Sequence, residues 1–158
     1  MIEIKPISEN DFQSIVDWNT GKDENYLYQW AGHKVYKYPL SIDQIKARVQ
    51  EEKSKIFSIL YNGKVIGSIE LDQIDAEKSS AKVCRFILSD EVKSKGIGMM
   101  ALKQLSDIAF NEIKLDSLIL TVYCFNAGAI RCYEKSGFWL KNTISMKMRY
   151  GIPIQWNC

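Results

Sequence analysis

A short polar segment with two glycines and two lysines carries the clearest chemical signal in this 158-residue sequence. It reads KSKGIG over residues 93–98 and lies between a strand-like run and a long amphipathic segment. Because glycine has no Cβ atom, its N–H group can approach a ligand closely. The start of a helix adds unpaired N–H donors and the positive end of the helix dipole, and together these bind phosphate. The segment therefore predicts a phosphate site, although a basic loop that only caps the helix fits the same pattern.

The elements that would position this segment follow from hydrophobic periodicity and turn residues. Ile2 and Ile4 alternate with charged residues, which predicts a strand ending at Pro6. Asn62-Gly63 between two β-type runs predicts a hairpin, and a third strand over about 79–88 extends it into an antiparallel meander. A later strand, a helix after it and closing strands complete an α+β order. Helices are predicted after residue 8, over about 41–52, over 97–113 and over 126–136. The helix over 41–52 should bury Ile42, Ile45 and Val49, and residues 23–40 are predicted to be irregular.

The composition is that of an ordinary globular protein. Hydrophobic residues make up 46% and charged residues 25%, and we expect a single domain over residues 1–158. A net charge of +2 is too small to argue for nucleic acid, and no apolar run is long enough to span a membrane. The first residues lack the apolar core of a signal peptide, and four cysteines without CxxC spacing suit buried free thiols. We therefore expect a cytoplasmic protein, and a single histidine makes a metal site improbable.

Two stretches resemble the signatures of the GNAT superfamily, the acetyl-CoA-dependent N-acetyltransferases. KSKGIG followed by a helix is similar to the (Gln/Arg)-x-x-Gly-x-(Gly/Ala) motif, with Lys93 in place of Gln or Arg. Residues 122–138, VYCFNAGAIRCYEKSGF, are similar to the second motif of the family. The resemblance implies the acyl-CoA N-acyltransferase fold, a mixed central sheet with an antiparallel meander flanked by helices. It also implies transfer of an acetyl group from acetyl-CoA to a primary amine.

The same resemblance implies where acetyl-CoA would bind. The cleft would open where the third strand splays from the Leu118–Cys124 strand, and a backbone N–H near Leu88 would polarise the thioester carbonyl. Asn126 would contact the cofactor arm, although simple capping of its helix fits equally well. The remaining cofactor-binding positions are backbone groups along the third strand and the glycine segment: Phe86, Ile87, Leu88, Lys93, Ser94, Lys95, Gly96, Ile97, Gly98 and Met99.

Catalytic and acceptor-binding roles are assigned by the same resemblance. Tyr133 matches the tyrosine that protonates the departing CoA thiolate in this family. A phenol can act in this way because its pKa of about 10 keeps it protonated at neutral pH. Glu70 is the candidate base, although a solvated outer face explains its position as well. Tyr28 and Trp30 lie in a stretch similar to the branch that includes ribosomal-protein alanine acetyltransferases. They either line an acceptor pocket or pack the early helices together.

Two other functions compete with this hypothesis. Residues 96–101 also read as a G-x-G-x-x-A dinucleotide fingerprint, with Asp116 as the ribose-binding acid, but that fold needs βαβ units. A CoA-binding module of the same fold without catalysis is the second alternative. The acceptor could be a protein or peptide N-terminus, a polyamine, an amino acid or an amine drug, and the chain could be a monomer or a homodimer.

Overall fold

The structure, a computed structural model, describes residues 1–93, 95–121, 127–140 and 145–149, with only the backbone described for Leu140 and residues 145–149. Seven strands in the described part form one mixed sheet in the order β1-β2-β3-β4-β5-β7-β6. The strands are β1 Ile2–Pro6, β2 Lys55–Tyr61, β3 Lys64–Asp75, β4 Ser80–Leu88, β5 Ser117–Thr121, β6 Trp139–Leu140 and β7 Ser145–Arg149. The helices are α1 Phe12–Asn19, α2 Glu24–Ala31, α3 Ile42–Val49, α4 Ile97–Asp107 and α5 Ala127–Lys135.

Strands β1 to β4 form the predicted antiparallel meander. The β2–β3 turn places Asn62 and Gly63 at φ angles of 49° and 83°, and both values lie in the left-handed region that a tight hairpin requires. Ile2 and Ile4 are buried on β1, as their alternation predicts. Among the described residues, no helix is long and apolar enough to cross a membrane.

The parallel pair β4–β5 opens the sheet. The two strands pair only from Ser80 with Ser117 to Lys82 with Ile119, and no pair is recorded between residues 83–88 and the described part of β5. The predicted splay is therefore confirmed, and one edge of β4 is free to face a ligand.

A β-bulge distorts β4 at the splay. Ser68 pairs with Ile87 and Glu70 pairs with Cys84, so Arg85 and the residue after it both lie opposite a single residue of β3. Arg85 has a φ angle of 47°, which is uncommon for a residue with a side chain. Bulges bend a strand and re-aim its side chains, and this one lies at the mouth of the splay.

Two hydrophobic cores hold these elements. The larger core lies between the sheet and α4, where Leu102 and Leu105 are fully buried, and Ala109 just after α4 is buried with them. The smaller core joins α1, α2 and α3 around Leu27 and Ile45. The expected burial of Val49 was wrong, because it lies at the last residue of α3 with 36% of its surface exposed.

The prediction that residues 23–40 are irregular was also wrong in its first half. Helix α2 begins after Asp23, whose Oδ1 accepts a hydrogen bond of 2.9 Å from the Tyr26 N–H, and it ends at Gly32 with a φ angle of 72°. Leu27 and Ala31 form its buried stripe. The aromatic residues around them hid that stripe from the periodicity analysis, because large apolar side chains lie on more than one face.

Candidate active site

The glycine segment forms the start of α4, as predicted. Gly96 occupies the N-cap position with a φ angle of 73°, so this turn requires a residue without a Cβ atom. The N–H groups of the first helical turn, from Ile97 to Met99, have no partner within the helix and face a cleft. Lys95 is exposed and does not line that cleft, and Ser94 lies outside the described residues.

The cleft has a volume of about 790 Å³ and lies between the end of β4, the start of α4 and α5. Phe86 and Leu88 line it from β4, and Cys132 lines it from α5. The Ile87 side chain points to the opposite face of the strand, where it is buried in the core. Only backbone groups of Ile87 can therefore act toward the cleft, in agreement with the predicted backbone role. Asn126 lies outside the described residues.

Gly98 shows that the cleft suits a ligand arm in close contact with the helix. A Cβ atom at this position would lie 3.4 Å from Phe86 Cζ and 3.6 Å from Cys132 Sγ. Both neighbours line the cleft, so any side chain at residue 98 would narrow it. Unpaired N–H groups, a strand edge without a partner among the described residues, and the absence of a side chain at residue 98 together fit a phosphate-bearing cofactor arm.

Lys93, whose predicted contribution to the cofactor site is a backbone group, has a side chain that pairs with a neighbouring carboxylate. Lys93 lines the cleft, but its ammonium group lies 2.7 Å from Asp90 Oδ1 and 5.6 Å from the centre of the Tyr26 ring. The hydrogen bond to Asp90 raises the Lys93 pKa, and the same bond leads the lowering of the Asp90 pKa to about 2. Lys22 also binds Asp90, at 2.9 Å. The Lys93 charge is thus already paired at the rim of the cleft.

A second cavity of about 390 Å³ adjoins this cleft. Its walls are the last turn of α2 with the loop after it, the ends of β3 and β5, and the bulged part of β4. Phe86 and Tyr133 line both cavities, so they mark the place where the two spaces join. A ligand in one cavity and a ligand in the other would meet beside Tyr133.

Tyr133 lies on α5 and packs edge-on against the fully buried Phe138, with ring centres 6.2 Å apart. Burial, followed by the neighbouring Cys132, raises the pKa of Tyr133 to about 12. No hydrogen bond from its hydroxyl to another described residue is recorded. The side chain is therefore a protonated phenol at neutral pH that packs against Phe138 and lines both cavities.

Glu70 lies in a position that argues against the predicted role as a base. It is 1% exposed, so it is not on a solvated face, and it is not among the described residues that line either cavity. Its Oε1 accepts hydrogen bonds from Arg48 Nε at 2.8 Å and from Arg85 Nη2 at 3.1 Å, and its Oε2 accepts one from Arg85 Nε at 2.7 Å. Both carboxylate oxygens of Glu70 are thus occupied by guanidinium donors.

Asp72 completes this ion-pair network with Arg48 and Arg85. Burial opposes ionisation of Asp72, but the Gln73 amide and the two arginines outweigh it and lower its pKa. The sequence analysis missed both arginines. The alternation of Ser68, Glu70 and Asp72 on β3 marked one polar face, but Arg48 comes from a distant helix and the bulge breaks the alternation at Arg85.

The two predicted acceptor-binding aromatics separate in the structure. Trp30 lines the second cavity, and its indole N–H donates a hydrogen bond of 2.9 Å to Asn19 Oδ1. Tyr28 is not among the described lining residues, and its ring stacks on His33 with centres 4.4 Å apart. His33 itself lies in the loop after α2 and lines the cavity. The last turn of α2 and the loop after it thus form one wall of the second cavity.

The described thiols are free and half-buried. Cys84 lines the second cavity and Cys132 lines the cleft, and neither has a disulfide partner among the described residues. Burial raises the pKa of Cys84 to about 12, and burial is also the main cause of the raised pKa of Cys132. Neither thiol is a nucleophile at neutral pH, in line with the packing role expected from the sequence.

Comparison with known proteins identifies the family. The model of the acetyltransferase (GNAT) family matches residues 12–138. The chain is 24% identical over 141 residues to the acetyltransferase PseH of Campylobacter jejuni (strain 81-176), covering 87% of this chain and 85% of the relative. It is 23% identical over 137 residues to spermidine N(1)-acetyltransferase of Escherichia coli K12, covering 87% and 72% of the two chains.

The solved structures show the same fold. A spermidine N-acetyltransferase from Vibrio cholerae in complex with CoA and spermine superposes with a TM-score of 0.76 at 17% identity, covering 94% of this chain and 95% of that chain. The chain belongs to the GNAT acetyltransferase family, and it is an acyltransferase of the GNAT fold. The dinucleotide alternative was wrong, because the glycine segment follows an antiparallel meander and not a βαβ unit.

Proposed function

We propose that this chain transfers an acetyl group from acetyl-CoA to a primary amine by direct attack of the amine on the thioester. The observation that carries the proposal is that Phe86 and Tyr133 line both cavities. The larger cleft has a helix N-terminus at one end, and the smaller cavity opens on the other side of Tyr133. This arrangement suits a reaction in which two substrates bind together and react at the junction.

The larger cleft would hold acetyl-CoA. Backbone N–H groups at the start of α4 would bind the pyrophosphate, because the first turn of a helix has unpaired donors and the positive end of the dipole. The free edge of β4 beyond Lys82 would pair with the pantetheine arm through the backbone of Phe86 and Leu88. Gly98 would leave room for that arm. Ser94 and Asn126, both outside the described residues, stay predictions as further contacts.

Polarisation of the thioester carbonyl would come from the same strand edge. The pairing of β4 with β5 ends at Lys82, so backbone N–H groups of residues 83–88 on that edge are available as donors. A fixed donor aimed at the carbonyl oxygen stabilises the negative charge that develops as the amine attacks. We assign this role to an N–H near Leu88, next to the bulge.

Tyr133 would supply the proton for the leaving group. As the new N–C bond forms and the C–S bond breaks, the Tyr133 hydroxyl gives its proton to sulfur, and the proton lost by the amine replaces it through solvent. A phenol with a pKa of about 12 is a weak acid. The sulfur of CoA becomes a thiolate as the C–S bond breaks, and the proton from the phenol neutralises this leaving group.

The test combines binding with turnover. Calorimetric titration with acetyl-CoA and with CoA measures the first half of the proposal, and release of the CoA thiol in a panel of primary amines measures the second. We expect acetyl-CoA to bind and at least one class of amine to be acetylated, with the product verified by mass spectrometry. No binding of acetyl-CoA would overturn the assignment of the cleft. Binding without turnover on any amine would leave a binding module and overturn the transfer step.

A further inference from the structure

The smaller cavity carries more positive than negative charge. Lys34, Lys82 and Arg85 line it, and Asp72 is the one carboxylate among its described lining residues. This cavity is the proposed acceptor site, so its charge bears on which amine can enter. An acceptor that carries several positive charges would meet cations on three sides.

Asp72 is paired with Arg85 and Arg48 in the ion-pair network, so the positive excess toward a ligand comes from Lys34 and Lys82. Its Oδ1 lies 2.7 Å from Arg48 Nη2, and its other oxygen accepts a hydrogen bond from Arg85 Nη2. Glu70 behind it is bound by the same two arginines. The lining and this network together contain four cations and two carboxylates, which leaves two positive charges in excess. The cations are Lys34, Lys82, Arg85 and Arg48, and the carboxylates are Glu70 and Asp72. That excess equals the net charge of +2 of the whole chain.

The remaining ionisable groups of the lining do not reverse this balance. Burial raises the pKa values of Cys84 and Tyr133 to about 12, so both are neutral at neutral pH. His33 is either neutral or positively charged. No Asp or Glu occurs among the residues that the structure does not describe or describes by backbone alone. Their side chains therefore cannot supply the missing negative charge.

Arg85 is also arranged as a binding group. Its side chain is only 10% exposed and is fixed through Nε and Nη2 by Glu70 and Asp72. No partner of its Nη1 is recorded among the described residues, and Arg85 lines the cavity. A guanidinium that two carboxylates already hold in place loses little further conformational freedom when it binds a ligand. Its planar donors also match the geometry of carboxylate and phosphate.

We infer that the amine acceptor of this enzyme carries an anionic group, a carboxylate or a phosphate, which the cavity binds with Lys82, Lys34 and Arg85. The inference rests on the proposed amine transfer and narrows its substrate class. Polyamines, the substrates named for the spermidine acetyltransferase relatives, are then poor acceptors for this chain. The bound anion would hold the acceptor at one end while its amine reaches the junction beside Tyr133.

The experiment compares matched amines that differ only in the anionic group. One pair is β-alanine and its amide, another is phosphoethanolamine and ethanolamine, and spermidine represents the polycations. Amino acids, short peptides and nucleotide-linked amines extend each anionic class. We expect kcat/KM to be at least tenfold higher for the anionic member of a pair, and to fall as salt rises, because screening weakens attraction between charges near the surface. The carboxylate and phosphate arms identify which anion is preferred.

Two variants test the residues. Lys82→Gln and Lys34→Gln remove one cation each without touching the buried network, and Lys5→Gln on the far edge strand β1 is the matched control. We expect Lys82→Gln to lower kcat/KM for the anionic acceptor about tenfold, mainly through KM, whereas the Lys5→Gln control should match the wild type. Equal or better use of neutral amines or spermidine by the wild type would overturn the inference. Acetyl-CoA binding without acetylation of any amine would instead overturn the proposed function.

Discussion

Replacement of Tyr133 by Phe separates the chemical role of this side chain from its role in packing. The hydroxyl has no recorded partner among the described residues, and the ring contact with Phe138 survives in the variant. We therefore expect the free energy of unfolding to change by less than about 1 kcal/mol. Loss of a general acid lowers rates by about 10²–10⁴, so kcat should fall at least about a hundredfold, or about 2.7 kcal/mol in activation free energy.

The pH dependence gives a second, independent readout of the same change. The pKa of Tyr133 is about 12 in the folded protein, above the ordinary value of about 10. The folded state therefore holds this proton more tightly than the unfolded state. Its stabilising effect is complete below pH 10 and is lost as the pH rises from 10 to 12. The Phe variant should lack this part of the alkaline loss of stability.

The assays are single-turnover acetyl transfer, calorimetric binding of acetyl-CoA and denaturant unfolding at pH 8 and pH 11. Tyr61→Phe, an exposed tyrosine on β2 outside both cavities, is the control and should match the wild type throughout. The reasoning is refuted if Tyr133→Phe keeps kcat within a factor of three of the wild type. A variant that binds acetyl-CoA much more weakly would show instead that the hydroxyl acts in binding.

Three further predictions concern the cleft, the ion-pair network and a thiol. Gly98→Ala should raise the free energy of unfolding by about 0.5–1 kcal/mol through helix propensity. The same change should weaken acetyl-CoA binding at least tenfold in calorimetry, because the methyl group narrows the cleft, whereas the exposed Met100→Ala should bind normally. Glu70→Gln should lower the free energy of unfolding by about 3 kcal/mol in a denaturant titration, because Arg48 and Arg85 each lose the more buried of their two carboxylate partners. The exposed Glu3→Gln should not have this effect, and loss of kcat with unchanged stability would restore the base hypothesis. Cys84 should resist alkylation by iodoacetamide at pH 8, since a pKa of about 12 leaves about one thiol in ten thousand as the thiolate. Peptide mass mapping measures the labelling, and labelling of Cys84 within minutes would contradict its burial.

Much of the fold could be predicted because its signals are local. The Asn62-Gly63 turn, the alternation on β1 and the glycine that starts α4 each depend on a few neighbouring residues, and the structure confirms all three. The splay of β4 from β5 followed from the family resemblance and is confirmed as well. Helix α2 was missed because its buried stripe lies among aromatic residues that obscure a 3.6-residue period.

The sequence by itself determined the class of the protein, the glycine-started helix and the tyrosine that follows the second motif, since each depends on residues close together in the chain. Only the tertiary structure decided that Glu70 is bound between Arg48 and Arg85, that Trp30 and not Tyr28 lines the second cavity, and that the lining of this cavity has more cations than carboxylates. These outcomes depend on strand register, on one bulged residue and on helices that are distant in sequence. Periodicity contains no information on such long-range pairings, because the partner of a charge is set by the packing of the whole sheet.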